Sequence, residues 1–209
     1  MSAVPPPYRI ETPRLVLRCW DPRDAPLLKD ALDSSLDHLR PWMPWARYEP
    51  EPLEAKVDLL RRFRGWFDLG QDFVYGIFSR DEREAVGGSG LHTRAGEGAL
   101  EIGYWIRASA VGRGYAREAT AALARVAIRV CGVDRVEIRV DPANGASLRI
   151  PRALGFAEEA TLRRRLPGRE GEARGDAVVF ALFGDELDRT PVSSAQLEAF
   201  DALGRSIPL

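Results

Sequence analysis

A short glycine-containing turn carries the strongest chemical signal in this chain. Residues 111–116 read Val-Gly-Arg-Gly-Tyr-Ala and join a strand-like run to an alanine-rich helical run that continues to Val130. Two glycines at such a turn let the backbone approach a ligand closely and direct several N–H groups toward one point. The positive end of the following helix strengthens that site. The turn therefore predicts an anion site of the kind that holds phosphate or pyrophosphate.

Two common nucleotide-binding motifs fit this turn poorly. No Gly-Lys-Ser/Thr follows the first glycine at the distance that a P-loop requires. A dinucleotide fingerprint needs a third glycine where this chain has Arg117, and no acidic residue ends a strand about 20 residues later. Nucleotide binding through the same turn therefore stays only as a disfavoured alternative.

The elements that must position the turn alternate between strand and helix periodicity. The predicted strands are residues 14–19, 73–78, 85–91, 100–106, 136–140, 156–162 and 177–183, the last two joined by a glycine-rich turn. Helices are expected to begin near Asp24, at Leu53, after the glycine turn and at Asn144. The pattern predicts an α/β fold with a mixed sheet, whose one parallel crossover passes through the glycine turn.

Composition narrows the class of protein. The chain has 209 residues, 45% hydrophobic and 29% charged, with a formal net charge of −1, which gives no field that attracts nucleic acid or membrane. No apolar run approaches the roughly 20 residues of a membrane span. Cys19 and Cys131 lack metal-ligand spacing and are expected to be small buried hydrophobes in a reducing compartment. With no secretion signal evident, we expect a cytoplasmic protein without a metal.

Four segments in order resemble the GNAT superfamily of acetyl-CoA-dependent N-acyltransferases. The first pieces are Glu101-Ile-Gly-Tyr-Trp-Ile106, similar to the central strand, and residues 111–119, similar to the pyrophosphate loop and its helix. Asn144-Gly-Ala-Ser147 with Gly155-Phe156 resembles the next helix. The segment 38–45 and Asp176 resemble the branch of RimJ/RimL-type protein N-terminal acetyltransferases.

The resemblance implies a site for acetyl-CoA in a GNAT-like fold. Its central mixed sheet would splay at the fourth and fifth predicted strands, 100–106 and 135–140, with helices on both faces. Pantetheine would lie in the gap and pair with the backbone of Trp105 and Ile106. The pyrophosphate would be bound by the backbone amides of Val111, Gly112, Arg113, Gly114, Tyr115 and Ala116.

The resemblance also implies residue roles in the chemistry. Glu101 matches the position of the general base, acting directly or through water, with His38 as the second candidate. Ser147 would contact the CoA sulfur, and Asn144 would touch pantetheine while also suiting a helix N-cap. Many relatives have a tyrosine acid seven residues after the asparagine, where this chain has Pro151. The proton donor is therefore Ser147, water or absent.

The acceptor amine is the least determined part of the function. A peptide α-amine has a pKa of about 7.7–8.0 and lysine one of about 10.4, so a moderate base suffices for an N-terminus. That chemistry and the branch resemblance favour a protein or peptide N-terminus. The acceptor site is expected to be walled by the segment with His38, Trp42 and Trp45. An aromatic wall of Trp42, Trp45, Trp66 and Phe67 would equally suit a small amine such as an amino acid, polyamine or antibiotic. A non-catalytic CoA-binding protein is the other alternative.

Domain organisation is simple on this interpretation. We expect residues 1–187 to form one acetyltransferase domain and residues 188–209 a tail of unknown role, with a short helix over 195–203. The family makes a homodimer plausible.

Overall fold

The computed structural model describes residues 4–168 and 173–209. The strands within those ranges are β1 (Arg9–Glu11), β2 (Leu15–Cys19), β3 (Phe73–Ser79), β4 (Ala85–His92), β5 (Ala99–Ile106), β6 (Arg135–Val140), β7 (Ala157–Leu166), β8 (Gly175–Phe183), β9 (Glu198–Phe200) and β10 (Ser206–Ile207). The helices are α1 (Ala25–Asp33), α2 (Leu36–Leu39), α3 (Leu53–Asp68), α4 (Tyr115–Arg129) and α5 (Gly145–Ala153). The turn predicted between β7 and β8 includes residues 169–172, outside the described residues.

All the strands join one sheet in the order β10-β9-β1-β2-β3-β4-β5-β6-β8-β7. Among the described residues β5 and β6 form the one parallel pair, and α4 connects them. The predicted mixed sheet and its single parallel crossover through the glycine turn are therefore confirmed.

Helices cover both faces of the sheet because its strands are apolar on both sides. Alternate strand residues point to opposite faces, so β5 directs Leu100, Ile102 and Tyr104 toward the core that contains α4. Trp105 belongs to the other face and packs against the core formed with α1 and α3. Glu101 and Gly103 share that second face. The prediction of helices on both faces is confirmed.

The amphipathic pattern of α4 explains how the glycine turn is held. Ala119, Leu123, Val126 and Ala127 are fully buried along one stripe of the helix. Each large apolar side chain buried in this way contributes about 1.5–3 kcal/mol. The stripe fixes α4 on the sheet, and its N-terminus is thereby fixed beside the end of β5.

The C-terminal tail differs from the prediction. Residues 195–203 form no helix; they contain β9, which pairs antiparallel with β1 and begins a hairpin with β10. Ala199 is buried in this strand, and the Asp201 carboxylate accepts hydrogen bonds from the backbone N–H groups of Leu203 and Arg205 in the turn. Pairing with an available sheet edge outweighs a weak local helical pattern.

In the described part of the chain, no helix has the length and apolar character needed to cross a membrane.

Candidate active site

β5 and β6 run together only at their beginnings. Their ladder joins residues 99–101 to residues 135–137. Beyond that point β5 continues to Ile106 paired with β4, and β6 continues to Val140 paired with β8. A gap therefore opens between their second halves, as predicted for strands 100–106 and 135–140. The edge of β5 that carries the backbone of Trp105 and Ile106 borders this gap.

The glycine turn lies at the same end of β5. Gly112 and Gly114 have φ angles of +79° and +80°, a conformation that favours glycine. α4 begins at Tyr115, and the first N–H groups of a helix have no partner within it. Val111 donates its N–H to the carbonyl of Ala108 at 3.4 Å. The donors available to an anion are therefore those from Gly112 to Ala116, one residue fewer than expected.

Hydrogen bonds from Thr12 and Arg14, just before β2, hold this turn. The Arg14 guanidinium donates to Glu118 through Nε at 2.6 Å and to the carbonyl of Arg113 through Nη1 at 2.8 Å. Thr12 donates its hydroxyl to Glu118 at 2.7 Å, and Arg14 also lies over the ring of Tyr115. The backbone of the turn is thereby fixed from outside α4.

At the N-terminus of α5, Asn144 and Ser147 are in contact, and Asn144 takes the N-cap position that the sequence predicts. The Asn144 side chain accepts the N–H of Ser147 at 3.0 Å, so Asn144 is the N-cap. Pro151 lies inside α5 and has no N–H for the Ser147 carbonyl four residues earlier. The Tyr104 hydroxyl donates to that carbonyl at 3.2 Å. Burial raises the pKa of Tyr104 well above its usual value, so this hydroxyl stays protonated.

Glu101 is a buried carboxylate with two unlike oxygens. Oε1 accepts from Arg94 Nε at 3.0 Å, which anchors the side chain. Oε2 lies 3.4 Å from Arg139 Nε and accepts no hydrogen bond from the residues that the structure describes. Glu101 is 5% exposed, so few water molecules reach it directly from bulk solvent. The oxygen at which this carboxylate can accept a proton is therefore Oε2, beside the Arg139 guanidinium.

A histidine that the sequence analysis did not single out lies opposite Glu101. His92 ends β4, and its Cα partner on β5 is Glu101. Its Nδ1 is 2.9 Å and 3.0 Å from the two carboxylate oxygens of Asp72.

The aromatic segment is divided between two places. The Trp45 ring packs edge-on against Trp105 at 6.0 Å, which brings it to the face of β5 that carries Glu101. Trp42 is half-buried in the same segment. His38 is exposed and lines a separate cavity of about 340 Å³ with Ser35 and Ala108. The structure thus places Trp45 on the face of β5 that carries Glu101, and His38 in a cavity beside Ala108, just after the end of β5.

A buried ion pair anchors the segment that carries Trp45. The Lys56 ammonium, 0% exposed on α3, pairs with Glu49 and lies 2.7 Å from Glu51 Oε2. Removing one partner of a buried pair typically costs about 3–5 kcal/mol. Lys29 adds a hydrogen bond to the carbonyl of Glu51 at 2.9 Å. The segment that carries Trp45 is therefore held against α3.

Neither cysteine takes part in this site. Burial raises the pKa of the Cys19 and Cys131 thiols to about 12, so both are protonated at neutral pH, in agreement with the expected small buried hydrophobes. Among residues 4–168 and 173–209, no group of three His, Cys, Asp or Glu side chains could hold a metal ion.

The residues missed by sequence reasoning share one property. Each is positioned by a partner far along the chain: Asp72 and His92 are separated by 20 residues, Thr12 and Glu118 by 106. Local spacing gives no signal for such pairs, because they depend on how elements distant in the sequence pack together. The one sequence signal that could have drawn attention to His92 is the pair of glycines at 90 and 103, which leave room for its ring.

Comparison with known proteins agrees with this geometry. The family described as "Acetyltransferase (GNAT) domain" matches residues 14–157. The [ribosomal protein uS5]-alanine N-acetyltransferase of Escherichia coli (strain K12) is 31% identical over 160 residues, which cover 74% of this chain and 80% of that protein.

Solved structures share the fold. The ribosomal-protein-S5-alanine acetyltransferase of Vibrio fischeri is 20% identical with a TM-score of 0.72, covering 86% of this chain and 98% of that one. Mycobacterium smegmatis RimJ, solved in complex with CoA-disulfide, is 24% identical with a TM-score of 0.73, covering 91% and 90%.

The fold, with a gap between two parallel strands of its sheet, therefore agrees with an acyltransferase. The chain belongs to the GNAT acetyltransferase family, in its RimJ/RimL-type branch, and is an acetyl-CoA-dependent N-acetyltransferase.

Proposed function

We propose that this enzyme transfers the acetyl group of acetyl-CoA to the α-amine of a protein or peptide N-terminus. The observation that carries the proposal is the gap between β5 and β6, beside the glycine turn, with the carboxylate of Glu101 buried on the neighbouring face. The similarity to a [ribosomal protein uS5]-alanine N-acetyltransferase supports a protein acceptor. A ribosomal-protein acceptor would place the enzyme in the cytoplasm.

The described residues fit acetyl-CoA as a substrate. The N–H groups from Gly112 to Ala116 would bind the pyrophosphate, and the unpaired edge of β5 at Trp105 and Ile106 would pair with the amides of pantetheine. Asn144 and Ser147 at the start of α5 would lie beside the thioester end. Backbone donors supply most of this site, so Val111 in place of a polar residue costs little.

The chemistry needs a neutral amine, a donor for the oxyanion and a place for one proton. Positioning the amine about 3–3.5 Å from the thioester carbonyl supplies much of the rate. A backbone N–H on the open edge of β5 would stabilise the developing oxyanion. Glu101 would accept the proton of the amine at Oε2, directly or through water.

The leaving group needs little assistance. A free thiol has a pKa of about 8.5, so its thiolate forms readily near neutral pH. Ser147, or a water molecule beside it, remains the proposed proton donor. The wall of Trp42 and Trp45, with His38 in the cavity beside Ala108, would contact the acceptor.

An acceptor panel tests this function. Acetyl-CoA would be mixed with peptides that have free N-termini, and with the same peptides blocked at the N-terminus but carrying lysine. Polyamines, amino acids and aminoglycosides complete the panel, with thiol release and product masses as the measurements. Acetylation of free N-termini alone supports the proposal. A small-amine product overturns the acceptor, and silence with retained CoA binding points to a non-catalytic protein.

A further inference from the structure

The imidazole of His92 is held in one orientation. Both oxygens of Asp72 lie within 3.0 Å of its Nδ1, and a carboxylate can only accept hydrogen bonds. Nδ1 therefore carries the proton, and the lone pair of the neutral ring is on Nε2. Thr93 donates its hydroxyl to the carbonyl of Gln71 at 2.9 Å, which ties the residues next to His92 and Asp72 together.

Two glycines give this ring its place on the sheet. A Cβ at Gly90 would lie 2.6 Å from both Cε1 and Nε2 of His92, so any side chain there would displace the ring. A Cβ at Gly103 would lie 3.5 Å from Nε2. Nε2 therefore points across β4 toward the middle of β5, over the residue two positions after Glu101.

His92 and Glu101 share the same small area of the sheet. A Cβ added at Gly103, which would lie 3.5 Å from His92 Nε2, would also lie 3.8 Å from Arg94 Nη2. This Arg94 nitrogen is the one that donates to Glu101 Oε1. Two guanidinium groups, of Arg94 and Arg139, balance the charge of Glu101. The His92 side chain keeps 15% of its surface exposed, whereas that of Glu101 keeps 7%. His92 thus has the better path to solvent.

We propose that His92, oriented by Asp72, is the proton relay of this site, which takes up the proton of the reaction by way of Glu101. The amine nitrogen attacks the thioester carbonyl, the C–N bond forms, and the C–S bond breaks to release the CoA thiolate. The proton lost by the amine passes by Glu101 and a bridging water molecule to Nε2. The imidazolium then releases it to solvent. This step rests on the proposed function.

The proposal predicts a pH dependence with a definite sign. A protonated Nε2 cannot accept a proton, so the step that His92 carries would stop when low pH protonates the ring. The charged groups that face the ring are Asp72 before β3, Arg94 after β4 and Glu101 on β5. The acceptor α-amine titrates as well, and its contribution is common to all variants.

The test uses His92→Gln and Asp72→Asn with an N-terminal peptide as acceptor. His92→Gln is expected to lower kcat at least tenfold and to flatten the acidic limb, without changing the KM for acetyl-CoA. In Asp72→Asn the amide N–H can donate to Nδ1, which moves the ring proton to Nε2. Nε2 then cannot accept a proton, so this variant should lower kcat similarly. Because the two residues act as a unit, the double variant should be no slower than the single ones. Asp68→Asn is the matched control, because Asp68 forms an exposed ion pair with Arg64.

Chemical rescue separates catalysis from a structural role. His92→Ala is expected to recover activity when imidazole is added to the buffer, which a purely structural histidine would not do. Wild-type kcat and pH profile in His92→Gln, or multiplicative losses in the double variant without imidazole rescue, would overturn the proposal. In those cases acetylation by the wild type still stands. Failure of the wild type to acetylate any free N-terminus would instead contradict the proposed function itself.

Discussion

Glu101 combines burial, one anchored oxygen and one oxygen without a hydrogen bond in the described chain. Replacing it with glutamine keeps the shape and the contact with Arg94 but removes the proton acceptor. We expect Glu101→Gln to lower kcat about 10²-fold while the dissociation constant for acetyl-CoA stays unchanged. Steady-state kinetics and calorimetry measure the two quantities.

Glu158→Gln is the matched control for that substitution, because Glu158 forms an exposed pair with Arg152. Its kcat should stay at the wild-type level. Full activity of Glu101→Gln would transfer the role of first proton acceptor to His92 or to water.

Two substitutions of Gly112 separate the effect of an added negative charge from the effect of a side chain at a positive φ. Asparagine and aspartate both tolerate a positive φ better than other side chains, and they have nearly the same shape. Gly112→Asp adds a negative charge where the pyrophosphate is expected to bind, so it should weaken acetyl-CoA binding about tenfold or more relative to Gly112→Asn. Equal dissociation constants for the two variants would contradict the assignment of the turn as the pyrophosphate site.

At the scale of elements, a proline and a tyrosine form one functional unit between β5 and α5. Pro151 leaves the Ser147 carbonyl without its helical donor, and Tyr104 supplies one from the strand that borders the gap. This contact ties the start of α5 to the open half of β5. A hydrogen bond of this kind contributes about 1 kcal/mol net, and an unsatisfied carbonyl costs more.

A double-mutant cycle tests that unit. Tyr104→Phe should raise the KM for acetyl-CoA severalfold and lower the free energy of unfolding, because the Ser147 carbonyl loses its donor. Pro151→Ala restores a backbone N–H at the position from which α-helical hydrogen bonding supplies one. In the Pro151→Ala background, the same tyrosine substitution should therefore have a much smaller effect. Equal effects in both backgrounds would mean that the hydroxyl serves another purpose.

The sequence was informative about elements and much less so about side-chain partners. Strict alternation over residues 100–106 and the helical stripe after the glycine turn depend on local spacing, so β5 and α4 were predicted closely. The charged groups around Glu101 could not be predicted, since Arg94 and Arg139 reach it through a turn and a neighbouring strand. The helix predicted over 195–203 was wrong because its partner, β1, lies almost 190 residues earlier.

At the scale of the whole molecule, the two faces of the sheet carry different parts of the proposed site. Glu101, His92 and Trp105 lie on the face toward α1 and α3, where the acceptor would arrive. Tyr104 and the start of α5 lie on the other face, beside the expected leaving group. On the proposed function, the gap between β5 and β6 would connect the two sides. Acceptor and leaving group can thus be on opposite sides of one thioester without competing for space.

We expect the C-terminal tail to contribute to the stability of the fold but not to the gap between β5 and β6. β9 is five strands away from β5, roughly 24 Å at the usual strand spacing. A chain that ends at Leu197 keeps the buried Leu187 and Val192 but loses β9, β10 and the pairing that covers the edge of β1. An uncovered strand edge also invites association between molecules.

We therefore expect the chain that ends at Leu197 to unfold at a temperature lower by several °C, since about 1 kcal/mol corresponds to roughly 2–4 °C in a protein of this size. Its kcat/KM at 25 °C should stay within about twofold of the full-length value. Ala199→Asp, which places a charge at a buried position of β9, should shift the unfolding temperature in the same direction with the same retained activity. Loss of acetyl-CoA binding at an unchanged unfolding temperature would instead mean that the tail acts on the site, because damage to the edge of the sheet cannot reach β5 without first weakening the strands between them.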